Sequence, residues 1–501
     1  MLLLKSRLQD LKIISYYLGK IFIAVGVCML APMALSFFLA EYSVVYDFVI
    51  GFSLSLLLGY SLLTLCKTEE DLTWTQGMVT VALTWLIAAL LGAVPLFLSG
   101  HYRCFLDAYF EAMSGFSTTG LSLIQDLDHL SFGHNLWRHL MMFMGGQGIV
   151  VFALSFFVSG ASGAFRLYVG EGRDERVLPN VISTARFIWG LSLLYFIIGS
   201  LVLTLIGLKN GLPLGISIFD GVCLFMAAFD TGGFTPHSQS ILFYHSRAFE
   251  AATVIIMVLG ALNFKLHYEL WMGNRQELKK NIEVIAFSLS VLLIFTLLSI
   301  YFVMSGTYLH KGGLFFKGFY QLISAHTGTG YQTVYNGQIA NEWGDFALIM
   351  MIIAMGLGGG ICSTTGGIKM LRLGVIWSGL SLDINKLLLP ESSVLVKKIH
   401  HIKEIVLEPK LVQSSFIITF CFLILYVFGA LVGAFLGYPF LPALFESTSA
   451  AANVGLSCGI TCADMPVLLK LTYIFQMWAG RLEFISIFIL AGFTVAFIKG
   501  K

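Results

Sequence analysis

Apolar residues run along this chain in blocks of about twenty, the length of helix that crosses a hydrocarbon layer, separated by short polar segments. Two blocks come first, Ile13–Ala40 and Val44–Cys66, joined by a very short turn. A three-part unit then recurs four times: a long apolar segment, a shorter amphipathic segment ending at a glycine, and a second long segment. The long segments pair as Val79–Leu98 with His139–Val158, Phe187–Gly207 with Ala251–Trp271, Ile285–Met304 with Phe346–Trp377, and Ser414–Leu436 with Leu469–Ile498. Shorter segments such as Asp107–Phe116 and Pro442–Ala452 are about ten residues long, too short to cross. They predict re-entrant half-helices, which a membrane tolerates only where protein or water surrounds them. The pattern predicts an all-α membrane protein. Residues 1–72 hold two N-terminal transmembrane helices, and four membrane–pore helix–membrane repeats follow at 73–165, 166–280, 281–395 and 396–501 around one pore.

Each short segment closes on one phrase. Its copies are Thr118-Thr119-Gly120-Leu121-Ser122, Thr231-Gly232-Gly233-Phe234-Thr235, Gly328-Thr329-Gly330-Tyr331-Gln332 and Asn453-Val454-Gly455-Leu456-Ser457. Upstream, Phe105-Leu106-Asp107-Ala108-Tyr109-Phe110-Glu111 aligns with Phe440-Leu441-Pro442-Ala443-Leu444-Phe445-Glu446 at five of seven positions. A glycine turn repeated four times between apolar helices is the pattern of a tetrameric cation filter carried on a single chain. An alkali cation shedding water needs several oxygen ligands at once, and carbonyls turned inward supply them without net charge. Turning successive carbonyls inward takes backbone angles that glycine adopts without a Cβ penalty. The third copy offers two glycines, Gly328 and Gly330, and leaves its register open.

The second long segment of the third repeat contains Gly356-Leu357-Gly358-Gly359-Gly360-Ile361-Cys362-Ser363-Thr364-Thr365-Gly366-Gly367-Ile368-Lys369. As unbroken helix, Phe346–Leu380 would run about 50 Å at 1.5 Å per residue, longer than the bilayer is thick. Six glycines in twelve positions, each costing up to about 1 kcal/mol in a helix, predict two half-helices joined by a loop inside the pore. The spacing fits neither a dinucleotide fingerprint nor a Walker motif. Arg481, in Ala479-Gly480-Arg481-Leu482-Glu483, lies within the last apolar segment. A charge there must face a cavity or a partner, so it faces the pore or pairs with Glu111 or Glu446. Facing the pore, it would repel a cation about 8 Å away by roughly 2 kcal/mol.

Composition removes the alternatives. At 57% hydrophobic and 12% charged residues, against roughly 25% charged in soluble domains, the chain is no water-soluble globule. A net charge of +2, with no basic cluster interleaved with aromatics, gives no sign of nucleic acid. The eight cysteines are scattered, most of them inside apolar runs, and Cys458 with Cys462 has no nearby histidine to complete a metal site. H-E-x-x-H does not occur, and the Gly-x-Ser-x-Gly match Gly455–Gly459 is the fourth glycine turn itself, so no enzyme is expected and no organic cofactor. Lys5, Arg7 and Lys12 precede the first block without a cleavage signal, which predicts a retained helix. With that end inside, most Lys and Arg fall inside, including Arg166, Arg173, Arg176 and Arg186 in one linker and Lys397, Lys398, Lys403 and Lys410 in another. The positive-inside rule then gives cytoplasmic N- and C-termini and four outward-facing glycine turns. Asp126, Asp128, Asp230, Glu342, Asp345 and Asp464 fall outside, where acid would concentrate cations. His400-His401 sits in the basic inner linker with no assigned role.

On these motifs the whole chain resembles the superfamily of Trk, Ktr and HKT potassium transporters, and with its two extra N-terminal spans it looks most like the bacterial Trk membrane subunit. The resemblance implies K+ uptake across the bacterial inner membrane. Filter ligands would come from Thr118, Thr119, Gly120, Thr231, Gly232, Gly233, Thr329, Gly330, Asn453, Val454 and Gly455. It also implies a gate formed by Gly356, Gly358, Gly359, Gly360, Ser363, Thr364, Thr365, Gly366 and Gly367, with Lys369 as the loop's basic residue and Arg481 in a matching setting. K+ would be the transported ion, a ring of cytosolic nucleotide-binding subunits the regulatory partner, and a homodimer in the lipid bilayer the assembly. A serine at the first filter position accompanies sodium preference in the plant branch, so Gly120 argues for potassium. A sodium- or ammonium-permeable relative and a non-conducting receptor with a pore fold stay open.

Overall fold

The computed structural model describes residues 8–148, 181–308, 311–390 and 395–499. The N-terminal unit comprises α1 (Leu8–Cys28), α2 (Leu30–Phe38) and α3 (Tyr42–Leu65). Helices α1 and α3 cross where glycine faces glycine: a Cβ on Gly19 would stand 2.8 Å from the Gly59 carbonyl oxygen, and one on Gly59 2.8 Å from that of Gly19. Small residues at such crossings let membrane helices pack backbone to backbone. The next helix, α4 (Trp74–Leu98), opens with a capping box between Thr73 and Gln76. Gln76 also donates to Asp10 (2.6 Å), tying the N-terminal unit to the first repeat.

Repeat one continues with α5 (Phe105–Phe116) and α6 (Phe132–Gln147). Repeat two has α7 (Val181–Lys209), α8 (Leu214–Phe229), α9 (Arg247–Ala261) and α10 (Phe264–Trp271). Repeat three has α11 (Ile282–Met304), α12 (Tyr320–His326), α13 (Gly344–Gly356) and α14 (Met370–Leu387). A hairpin of β1 (Lys398–His401) and β2 (Lys403–Val406) precedes repeat four, which has α15 (Pro409–Phe435), α16 (Phe440–Ala451), α17 (Val467–Arg481) and α18 (Ile485–Ile498). Helices α5, α8, α12 and α16 are the short segments. Their filter-end residues are buried, whereas apolar residues on the outer helices, such as Leu57, Ile197, Leu292 and Phe420, are exposed. Lipid, not water, suits that surface.

Among the described residues, six helices are long and apolar enough to cross a membrane, and two bent pairs reach that length and apolarity only when their halves are taken together. These pairs correct an expectation. Ala251–Trp271 and Leu469–Ile498 read as straight spans, but α9 meets α10 at 101° and α17 meets α18 at 111°. The first break is set by Asn263, whose side chain accepts from Lys265 N–H (2.8 Å) and restarts a helix in a new direction. The second is set by Glu483 and Phe484, both left-handed at φ 52° and 73°. Helix α6 likewise ends at Gly148, φ 91°; the rest of the expected span to Val158, and Arg166, Arg173 and Arg176, lie outside the described residues. With the interruption between α13 and α14, all four repeats lose helix in their second long segment. The third break announces itself in the sequence through six glycines and the first, more weakly, through Gly145, Gly146 and Gly148.

Candidate functional site: filter and intramembrane loop

Each short helix ends in the same way. The residue two before the filter glycine is left-handed: Thr118 (φ 54°), Thr231 (φ 50°), Gly328 (φ 73°) and Asn453 (φ 57°). Its N–H bonds back to the carbonyl three residues earlier, at 3.0, 3.3, 3.1 and 3.3 Å in the four repeats. The next N–H, of Thr119, Gly232, Thr329 or Val454, reaches the carbonyl five residues earlier at 2.8, 2.8, 2.9 and 2.9 Å. That pair of bonds is a Schellman motif, whose left-handed position is normally glycine. Only the third repeat obeys the norm. The glycine there occupies the strained position, which leaves Gly330, not Gly328, equivalent in backbone to Gly120, Gly233 and Gly455.

The filter glycines themselves have φ of 88°, 78°, 80° and 89° at Gly120, Gly233, Gly330 and Gly455. A Cβ on Gly120 would stand 2.3 Å from the Gly232 carbonyl oxygen, on Gly233 2.1 Å from that of Thr329, on Gly330 1.9 Å from that of Val454, and on Gly455 2.2 Å from that of Thr119. The order is cyclic. Each repeat touches the next, and the fourth touches the first, through the residue just before the glycine. Glycine is needed here twice over, for its backbone angle and for the space its neighbour's carbonyl takes. A cavity of about 270 Å³ opens on one side of the ring, lined by the four glycines and by Arg138 and His237.

Side chains of the short helices hold the strands that follow. Glu111 accepts from Leu123 N–H (2.9 Å), Gln321 from Thr333 N–H (3.3 Å) and Glu446 from Cys458 N–H (3.0 Å). In the second repeat the equivalent position is Leu224, and its carbonyl instead accepts the Tyr331 hydroxyl of repeat three (2.9 Å). Glu111 is also paired with Arg138, both fully buried, with Nη2 to Oε1 at 2.8 Å. Arg138 escaped the sequence reading; its signal is the buried carboxylate itself, which needs a cation or several donors. Asp107 with Lys470 (2.6 Å) is a second buried pair, joining repeats one and four. At the cavity rim, partial burial raises the Asp128 carboxyl, but hydrogen bonds from Ser238 N–H (3.0 Å) and Oγ (2.5 Å) outweigh it and hold the group below its ordinary value. Asp230 is not one of these rim acids. It caps the α8 C-terminus, fully buried, with Oδ1 accepting from Gln147 Nε2 at 2.7 Å.

Beneath the ring lies the glycine-rich loop between α13 and α14. Its neck is stitched by Gly358 N–H to Ile368 O (2.9 Å) and Ile368 N–H to Gly356 O (3.0 Å). Within it, Gly359 N–H donates to Thr365 Oγ1 (3.0 Å), Ser363 Oγ to Gly360 O (2.6 Å), and Lys369 Nζ to the Thr365 carbonyl. Thr364 Oγ1 donates to the C-terminal carbonyl of α8, Phe229 O (3.0 Å), and to Gly260 O (2.9 Å). Gly366 abuts repeat four, since a Cβ there would stand 2.3 Å from Ala452 O, and its N lies 3.9 Å from the Cβ position of Gly328. Arg481 completes the set. Its Nη1 donates to Thr364 O (2.7 Å), and its Nη2 to Gly145 O (2.6 Å) and Gly146 O (3.2 Å). The loop and Arg481 together touch all four repeats under the ring. Glu111 and Glu446 do not neutralise Arg481, because both are turned to the strands above; Glu483 pairs instead with Arg372 of α14.

A scan against protein families matches residues 45–495 to TrkH, described as a cation transport protein. The chain belongs to that family. It is 30% identical over 485 residues to an uncharacterized cation transporter of Methanocaldococcus jannaschii, covering 96% of this chain and 95% of that one. It is 27% identical to the Trk system potassium uptake protein TrkG of Escherichia coli, with 96% and 98% covered, and 25% identical to the protein TrkH of Halomonas elongata, with 98% and 99% covered. The crystal structure of the potassium transporter TrkH from Vibrio parahaemolyticus superposes with a TM-score of 0.82 at 23% identity, over 96% of this chain and 98% of that one. The chain is accordingly a multi-pass membrane protein with the TrkH fold, in a family of transporters.

Proposed function

We propose that this chain carries K+ across the plasma membrane by way of the glycine ring, with the intramembrane loop as its gate. The observation that carries the reading is the cyclic contact of the four filter glycines with the carbonyl before the glycine in the next repeat. Left-handed angles at the glycine and two residues before it, with the residue between them not left-handed, rotate successive peptide planes, and four such strands around one axis offer stacked carbonyl rings for a dehydrated cation. Four helices ending at the ring add the negative ends of their dipoles. Potassium is favoured by the relatives named for potassium uptake and by glycine, not serine, at position 120. Charge distribution orients the ring outward and the termini and the β1–β2 hairpin inward. A cytosolic nucleotide-binding ring and a second copy of the chain are the partners this reading expects.

The test is K+ and Na+ flux through the purified chain in liposomes at a fixed potential. K+-selective flux is expected. Equal K+ and Na+ flux overturns the selectivity, and no flux with or without nucleotide-binding subunits overturns conduction.

A further inference from the structure

The β1–β2 hairpin takes no part in the ring, yet it reaches the loop through one carboxylate. Its two histidines point opposite ways, as strand neighbours do. His400 faces Glu277 (3.0 Å) and Glu404 (3.1 Å). His401 is buried and turned inward, its Nδ1 3.3 Å from Asn281 Oδ1 and 3.7 Å from Glu283 Oε2. Glu283 stands in the first turn of α11, where Asn281 caps the helix by accepting its N–H at 2.9 Å. From there the carboxylate extends to the tip of the loop. Oε1 accepts Ile361 N–H at 2.6 Å, and Oε2 accepts Asn263 Nδ2 at 3.4 Å. The Glu283 side chain is 5% exposed.

One acid therefore joins the hairpin, the loop tip and the α9–α10 break. A carboxylate taken out of water is costly unless its oxygens are matched by donors or opposite charge. Each of the three contacts is thus partly responsible for keeping the other two in place. The loop tip can leave only by stripping Ile361 N–H from the carboxylate, and a displaced hairpin removes His401 from the same group. We propose that Glu283 is the positioning residue of the intramembrane loop, and that the hairpin, through His401, is the handle by which an event on the cytoplasmic face reaches it. The proposal rests on the loop being the gate.

The loop carries its own reporter, Cys362, 4% exposed. In a full-length chain whose other seven of eight cysteines are replaced by serine, reconstituted in liposomes, two quantities are read for each variant. One is the rate at which a methanethiosulfonate reagent modifies Cys362; the other is K+ flux. Glu283→Ala should raise both by roughly tenfold, the scale of one hydrogen bond to a charged acceptor. Glu283→Gln, which keeps an acceptor for Ile361 N–H, and His401→Ala should each raise both by less. The double variant Glu283→Ala/His401→Ala should match Glu283→Ala alone, since the histidine acts through the carboxylate.

Unchanged Cys362 modification in folded Glu283→Gln and His401→Ala overturns the proposal, as does full additivity in the double variant. If Glu283→Ala does not fold, the Gln and His401 variants decide. Faster modification with unchanged flux upholds the link between Glu283 and the loop and overturns the gate.

Discussion

The ring and the loop beneath it lie in direct contact but are built on opposite plans. The ring is four copies of one device. Every strand has the same two helix-end bonds, the same left-handed pair of positions and the same contact with its neighbour. Displacing any strand breaks contacts on both sides, so repetition makes the ring stiff. Among the described residues the loop exists once and has no four-fold counterpart. It is held by hydrogen bonds to carbonyls that are orphaned at helix ends, Phe229 O and Gly260 O, and water satisfies such groups about as well. Release therefore exchanges one set of bonds for another. On the proposed function, the repeated part is the one to discriminate and the single part the one to move.

The ring half of the comparison breaks hardest at Gly330. A Cβ there would stand 1.9 Å from Val454 O at φ 80°, so Gly330→Ala must push the fourth strand off the axis. Loss of all K+-selective flux is expected in liposomes, with the protein still folded by size-exclusion chromatography. Selective flux retained would mean that the ring is not the filter. The loop half breaks by deletion of residues 358–365. That should raise K+ flux by roughly thirty-fold, the factor that about 2 kcal/mol of barrier represents, while leaving the K+/Na+ ratio where it was. A folded deletion with unchanged flux would make the loop a packing element. A changed ratio would show that the ring depends on the loop for its shape.

Gly120→Ser sharpens the ring half more gently. The added Cβ would stand 2.3 Å from Gly232 O, the loosest of the four such contacts, so the strand has to shift but need not leave. A several-fold gain of sodium relative to potassium is expected, read as a reversal-potential shift. An unchanged ratio would sink the filter assignment at this position.

Much of this arrangement was legible in the sequence because it is periodic. Four glycine phrases, each between apolar blocks, locate the ring, and six glycines in one segment locate the loop. What stayed hidden was local. The α9–α10 and α17–α18 breaks are made by Asn263 and by the left-handed Glu483 and Phe484, residues whose types do not forbid helix. Asp230 read as a rim acid because an acid beside a glycine turn usually faces water; burial against Gln147 depends on a neighbouring repeat. Arg138 sat at the edge of an apolar block, and its partner Glu111 lies 27 residues earlier in sequence. Periodicity reports a fold's repeats. It is silent on single contacts between repeats.

The smallest expected effect is the most diagnostic of how the ring is held. Thr118, Thr231 and Asn453 occupy a left-handed position that repeat three gives to Gly328, and a β-branched residue there is a genuine outlier. The Thr118 hydroxyl is also buried without a hydrogen-bond partner. If the position serves only to end the helix, Thr118→Gly should relieve about 1 kcal/mol of left-handed strain, partly offset by the extra freedom glycine has when unfolded. The thermal midpoint in detergent should then rise by a few degrees, with K+ flux and selectivity unchanged. If the hydroxyl instead serves the ion, the same variant should gain stability and lose apparent K+ affinity. The strain would then be retained for function, in the way strained backbone gathers at ligand sites. A fall in stability would contradict both and would mean that Thr118 makes a contact which its geometry does not suggest.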